Sequence, residues 1–259
     1  MAFPRATARQ GKYRLRATPF KGRLLVFPGV AALSLAGLFL LPLIAQDQGY
    51  HQFADQRLLF ATPNFWNVVS NIPFVVIGAA GLHLRAGASI RVIFLGIFLA
   101  GLGSAYYHWN PSDAALFWDR LPMTLTFMAI LANAIEERVD AKAGAILLWP
   151  LLALGIVSLL IWRSTGDLRL YGWVQFFPIL ALPLLFWLFP PTYTGTANWL
   201  VAGALYVAAK VFEFFDGPVM SAGHVLSGHT LKHLTAAAAC FVILRNFQMR
   251  QPVSAATRS

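Results

Sequence analysis

Apolar residues run along this chain in eight stretches, at about 24–45, 65–84, 90–109, 116–135, 144–162, 168–189, 198–216 and 227–246, separated by polar connections. Each is close to the roughly 20 residues that carry a helix across a bilayer. The pattern predicts an all-α, polytopic transmembrane bundle of eight spans. The first stretch holds about 22 apolar residues, longer than a signal-peptide core, and L-I-A-Q has no small residue at −3, so it predicts an uncleaved anchor. No repeat or low-complexity linker interrupts the pattern. A single transmembrane domain is expected at 24–246, between a basic tail at 1–23 and a C-terminal tail at 247–259.

Composition agrees: of 259 residues, 58% are hydrophobic and 12% charged, too apolar for an ordinary soluble domain. The formal net charge of +10 would fit a nucleic-acid binder if its cations formed a patch, but they cluster in tails and short loops beside apolar stretches. That distribution indicates membrane orientation, with no nucleic-acid partner. With a cytoplasmic N-terminus, one side collects the basic tail, Arg85, Arg91, Arg138, Lys142, Arg245, Arg250 and Arg258, while the other receives Arg57, Arg163 and Arg169. The asymmetry predicts that both termini are cytoplasmic.

This topology brings several polar residues to one membrane level. His108 ends the third stretch, Asp119 lies at the start of the fourth, and His229 and His233 lie at the start of the eighth, all at the non-cytoplasmic face. The 46–64 connection, with Asp47, His51 and Asp55, falls on the same side. In G-H-T-L-K-H, His229 and His233 stand at i, i+4 and point from one side of a helix. Ionisable groups in hydrocarbon are costly unless they have a partner or a task. Three imidazoles suit a divalent metal with an open fourth position, zinc in the first instance, because the single Cys240 excludes a thiolate site. Such an ion lowers the pKa of a bound water to about 7 and polarises a carbonyl. Asp119 could then transfer a proton to a leaving amine. Ser104, one i, i+4 step before His108, could hydrogen-bond a ligand histidine or the substrate carbonyl.

Other polar residues carry structural expectations. Asn67, Ser70 and Asn71, ahead of Pro73, are expected to bond freed backbone groups or a neighbouring helix. Lys210 and Glu213, at i, i+3, are expected to neutralise each other. His83 reads as interfacial, His51 stands apart from the three, and His224 reads as part of a Gly-rich loop.

At F-W-N-V-V-S-N (65–71), G-S-A-Y-Y-H (103–108), D-R-L-P-M (119–123) and H-T-L-K-H (229–233), the chain resembles the alkaline ceramidase family, within the superfamily that includes the progestin and adiponectin receptors. The resemblance covers about residues 50–246, seven of the eight stretches, and leaves 24–45 as an extra N-terminal helix. It implies zinc on His108, His229 and His233, with Asp119 and Ser104 catalytic, and hydrolysis of a ceramide-like lipid amide to a sphingoid base and a fatty acid. Eukaryotic members also bind calcium through an acidic segment. Here Asp55 falls at one ligand position and Asn64 replaces the Glu before F-W-N, and because Ca²⁺ favours several carboxylate or carbonyl oxygens the departure argues against it. Arg120 stands where those members have Glu, which bears on headgroup recognition. Two rival readings remain open at this point: a receptor-like zinc protein of the same superfamily, and a b-type haem carrier using two of the histidines as axial ligands.

Overall fold

Apolar runs bounded by capping residues fold into ten α-helices among the residues that the computed structural model describes, 19–253. In chain order they are α1 (Pro19–Leu38), α2 (Phe65–Val69), α3 (Ile72–Leu82), α4 (Ala88–Trp109), α5 (Asp113–Arg138), α6 (Ala141–Thr165), α7 (Arg169–Leu188), α8 (Thr196–Phe214), α9 (Asp216–Gly223) and α10 (Gly228–Met249). The described residues contain no β-strand, only two isolated bridges, so the all-α class stands. Arg5, Arg9, Lys12, Arg14, Arg16 and Arg258, on which part of the charge asymmetry rests, lie outside the described residues.

Five segments among the described residues are long and apolar enough to cross a membrane: Phe65–Leu82, Ala88–Trp109, Asp113–Arg138, Ala141–Thr165 and Arg169–Leu188. They suggest an integral membrane protein. The eight expected spans are thus met by five clear ones. A shorter apolar helical stretch covers Gly22–Leu38 of α1. Helices α8 and α10 are not among the five, since Lys210, Glu213, Lys232 and the two histidines dilute their apolar character.

Three boundaries differ from the sequence pattern for identifiable reasons. The first apolar stretch stops being helical at Leu38, short of Pro42, which cannot continue a helix. The chain beyond is fastened to the α6–α7 turn, where Leu168 N–H donates to Ile44 O (2.8 Å) and Arg169 Nη1 to Leu41 O (2.8 Å). The second stretch breaks into α2 and α3 at Ser70–Asn71, because Pro73 has no N–H to continue the ladder. Asn71 Nδ2 takes up Asn67 O at 2.7 Å and Val68 O at 3.3 Å, the backbone-satisfying role expected of it. The fourth helix starts earlier than its apolar run, since Ser112 caps it by accepting from Ala115 N–H. Asp119 is therefore inside α5, past its first turn. The Gly-rich loop expected before the last helix contains α9, and His224 closes that helix with φ of 52°.

Packing leaves a polar cluster at one end of the bundle and the histidines at the other. At the first end, Ser89 Oγ donates to Glu136 Oε2 (2.7 Å) and Arg250 pairs with Glu137. Between the ends, Ile93, Phe94 and Ile97 of α4 pack with Ala129 of α5, Leu148 of α6 and Ile243 and Leu244 of α10. A second cluster joins α5 to α7 through Met128, Val174, Phe177 and Leu185, and Phe27 of α1 packs against it. Trp173 Nε1 donates to Ser34 Oγ (3.0 Å), so the extra helix is docked on α7. Large apolar residues such as Leu33, Val76, Ile146, Leu180 and Trp187 face outward, as a lipid-bathed surface requires.

Candidate metal centre

Two close backbone approaches bring the histidine-bearing helices together. A Cβ at Gly103 would lie 2.2 Å from Trp118 O and 3.3 Å from Asp119 Cα, so only glycine lets α5 press against α4 there. A Cβ at Gly228 would lie 2.2 Å from Phe212 O, so the start of α10 rests directly on the end of α8. Ser227 caps α10 by accepting from Thr230 N–H, and His229 N–H donates to Asp216 Oδ1 at 2.7 Å. These contacts fix where His108, His229 and His233 point.

The three histidines meet. They are 1%, 3% and 3% exposed, and their ligand-type nitrogens lie within 4.8 Å of one another. His108 Nε2 and His229 Nε2 are 2.8 Å apart, a contact between two nitrogens that a single proton or one cation can serve. Ser70 Oγ lies 2.8 Å from His233 Nδ1, which fixes that ring and leaves its Nε2 free. The donor set, three buried nitrogens with no sulfur, fits a metal ion of the zinc type. Among the described residues this is the one group of three or more His, Cys, Asp or Glu side chains placed to hold a metal.

The 46–64 segment roofs the centre. Phe53 stacks on His108 at 4.7 Å between centroids and meets His229 edge-on at 4.8 Å. Ala54 N–H donates to Asp216 Oδ2 (2.9 Å), tying the roof to the residue that holds His229. Asn67 Oδ1 accepts from Thr230 Oγ1 (2.8 Å), so the F-W-N-V-V-S-N stretch clamps α10 through Asn67 and Ser70 together. Its expected contact with a neighbouring helix is therefore a contact with the histidine helix itself. Sequence reasoning missed Phe53 and this role of Ser70. Only the Ser and Asn spacing of the stretch, read against His233 and Thr230, could have signalled it.

Asp119 and Ser104 are both buried, on facing helices where α5 presses against α4 at Gly103. No hydrogen bond joins Asp119 to the histidines among the described residues. Asp55 and Asn64, the residues considered for a second polar site, are each engaged with protein partners. Arg57 Nε and Nη2 grip Asp55 Oδ1 and Oδ2 at 2.8 and 2.5 Å, and Asn64 Nδ2 donates to His108 O at 2.8 Å. Burial pushes the Asp55 carboxyl up, but the Arg57 hydrogen bonds and charge outweigh it and hold the group below the usual carboxylate range. Both residues thus brace the roof and the end of α4. His51 bonds Tyr107 Oη (2.9 Å) and Asp113 Oδ1 (3.1 Å), apart from the three. Glu213 pairs with Lys210 as expected and, in addition, with Lys232.

An apolar helical bundle with a buried three-histidine cluster at one end is the class that fold and site define. Within it, the family model described as Ceramidase matches residues 60–187, consistent with the resemblance carried by the motifs. The match contains His108, Ser104 and Asp119 and ends before His229 and His233, which the fold brings to the same centre. No curated protein matches the chain.

Proposed function

We propose that this protein is a zinc-dependent intramembrane amidase that hydrolyses a ceramide-like lipid amide to a sphingoid base and a fatty acid. The observation that carries the reading is the meeting of three buried imidazoles from α4 and α10, with Ser104 one turn before His108 on α4 and Asp119 buried on α5 opposite Gly103. His108, His229 and His233 would hold the ion, which when bound supplies Lewis acidity to the amide carbonyl and acidifies water. Asp119 takes the proton of the attacking water on its carboxylate and returns it to the amide nitrogen, so that the amine can leave. Ser104 orients that carboxylate, and Ser70 holds the His233 ring. Phe53 keeps bulk water off the histidines from the loop side, while the acyl chain remains in the bilayer.

The rings of the three histidines lie 4.7 to 5.0 Å apart between centroids, packing that leaves no slot for a porphyrin and so disfavours the haem reading. Elemental analysis of the purified protein beside turnover of a lipid-amide panel, read as free fatty acid, tests the proposal. About one zinc per chain with released fatty acid is expected. Zinc without turnover on any amide would instead favour the receptor-like reading.

Two further outcomes follow. Ser70→Ala removes the partner of His233 Nδ1, and metal affinity is expected to fall by roughly 10- to 100-fold, the usual cost of losing a ligand's outer partner. Competition with a chelator measures it, and unchanged affinity would reduce Ser70 to packing. In the proposed topology of eight spans, both termini are cytoplasmic and the histidine end faces away from the cytoplasm. A reporter fused after Ser259 should be cytoplasmic, and one inserted in the 46–64 segment should lie opposite. The reverse result would move the site to the other side.

A further inference from the structure

Next to Asp119 on α5, Arg120 is buried at 6% exposure, and its Nη1 has no hydrogen-bond partner. Its guanidinium lies over three rings, at 4.6 Å from Trp162, 4.7 Å from Tyr171 and 5.6 Å from Tyr50. Aromatic faces hold a guanidinium in place but do not use its N–H edge. A charged donor left unpartnered in a low-dielectric interior is costly, and buried cations in a membrane protein normally mark a partner or a ligand.

The surrounding charges do not supply that partner. Glu213 accepts from Tyr50 Oη at 2.9 Å and from Lys232 Nζ at 2.5 Å, and also pairs with Lys210. Glu213 is thus shared by Lys210 and Lys232, and among the described residues no ion pair joins a carboxylate to Arg120. Lys232 Nζ also lies 3.4 Å from His229 Nε2, which joins the cluster to the metal centre.

We propose that Arg120, in its aromatic cage, is the oxyanion-binding subsite of this centre, taking a lipid carboxylate or phosphate. This rests on the amidase reading and deepens it. A planar guanidinium edge pairs two-pronged with such groups, and their negative charge offsets that of the buried guanidinium. The oxyanion has two sources, an acidic headgroup on the amine side of the substrate or the carboxylate of the released fatty acid.

The test compares wild type, Arg120→Gln and Arg120→Lys in micelles, with zinc content measured for each. The substrates are N-palmitoylglycine, which carries a carboxylate, and N-palmitoylethanolamine, which does not; palmitate serves as inhibitor. If the oxyanion is the headgroup, wild type prefers N-palmitoylglycine, and in Arg120→Gln the ratio of the two kcat/KM values falls by roughly 10²-fold, the size expected for a lost charge-assisted pair. If it is the product, that ratio holds while inhibition by palmitate weakens by a similar factor. Arg120→Lys keeps the charge but loses the fork, so about a tenfold change is expected, and it carries the test should Arg120→Gln fail to fold. A substrate ratio and palmitate inhibition that both match wild type in the variants overturn the subsite. Calorimetric binding of palmitate and N-palmitoylglycine separates the two claims if wild type cleaves no amide of the lipid-amide panel: the amidase reading then fails, while weaker binding in Arg120→Lys still supports the subsite. Absence of binding to wild type overturns it.

Discussion

Single replacement of His108, His229 or His233 by alanine is expected to strip most of the metal and abolish amide hydrolysis, while the helical bundle persists. The three nitrogens lie within 4.8 Å of one another and come from two helices, so removal of any one leaves two donors, too few for tight binding of a tetrahedral ion. The three losses should not be identical in stability. His108→Ala empties the space under Phe53, whose ring stacks on it at 4.7 Å, whereas His233→Ala leaves the Ser70 hydroxyl without its 2.8 Å contact to that ring. Each defect is of a kind that costs about 1–3 kcal/mol, well below what would dissolve a bundle held by several apolar clusters. Elemental analysis, thermal melts and turnover on the same samples check this. Full zinc retention in all three variants would remove the histidines as the metal site, and loss of fold would make the activity result uninformative for those variants, leaving Ser70→Ala to report on the centre.

The helices and the histidine set were legible because both have short-range signatures. An apolar run of spanning length needs no tertiary information to be read as a helix, and His229 with His233 share a helix face at any packing angle. What was not legible depended on contacts between distant parts of the chain. Nothing near Phe53 in sequence says that its ring lies on His108, and nothing near Ser70 says that it meets His233, 163 residues away. The break at Ser70–Asn71 follows from Pro73, whereas the start of α5 is set by the Ser112 cap, ahead of the apolar run that marks the helix in the sequence. Helices α8 and α10 show a different difficulty. Helices that carry a polar site lose the apolar signature by which spans are recognised. Arg120 was visible as a departure in D-R-L-P-M, but its free N–H edge could be seen only once Tyr50, Trp162 and Tyr171 had been brought around it.

Asp119→Asn is expected to leave zinc largely in place and to lower amide hydrolysis by roughly the 10²- to 10⁴-fold typical of a general acid/base group. The position of Asp119 supports the expectation. It lies inside α5 where Gly103 lets that helix approach α4 most closely, buried beside Ser104, on the turn of α4 that precedes His108. Asparagine keeps the size and can still meet the Ser104 hydroxyl, so packing should survive while the ability to take and return a proton is lost. Lys232 and Arg120 lie within electrostatic range of the carboxylate, and in the variant their charge is less balanced, which tends to weaken binding of any further cation nearby. A modest fall in zinc affinity is therefore compatible with a proton-transfer role, whereas loss of metal in step with activity would make Asp119 a ligand or a structural partner. Ser104→Ala separates the remaining roles. If the serine only orients Asp119, it should cost less than Asp119→Asn, and if it donates to the developing oxyanion the two losses should be comparable. Turnover and zinc content measured together on both variants decide the matter, and near-normal turnover in Asp119→Asn would exclude this carboxylate from the mechanism.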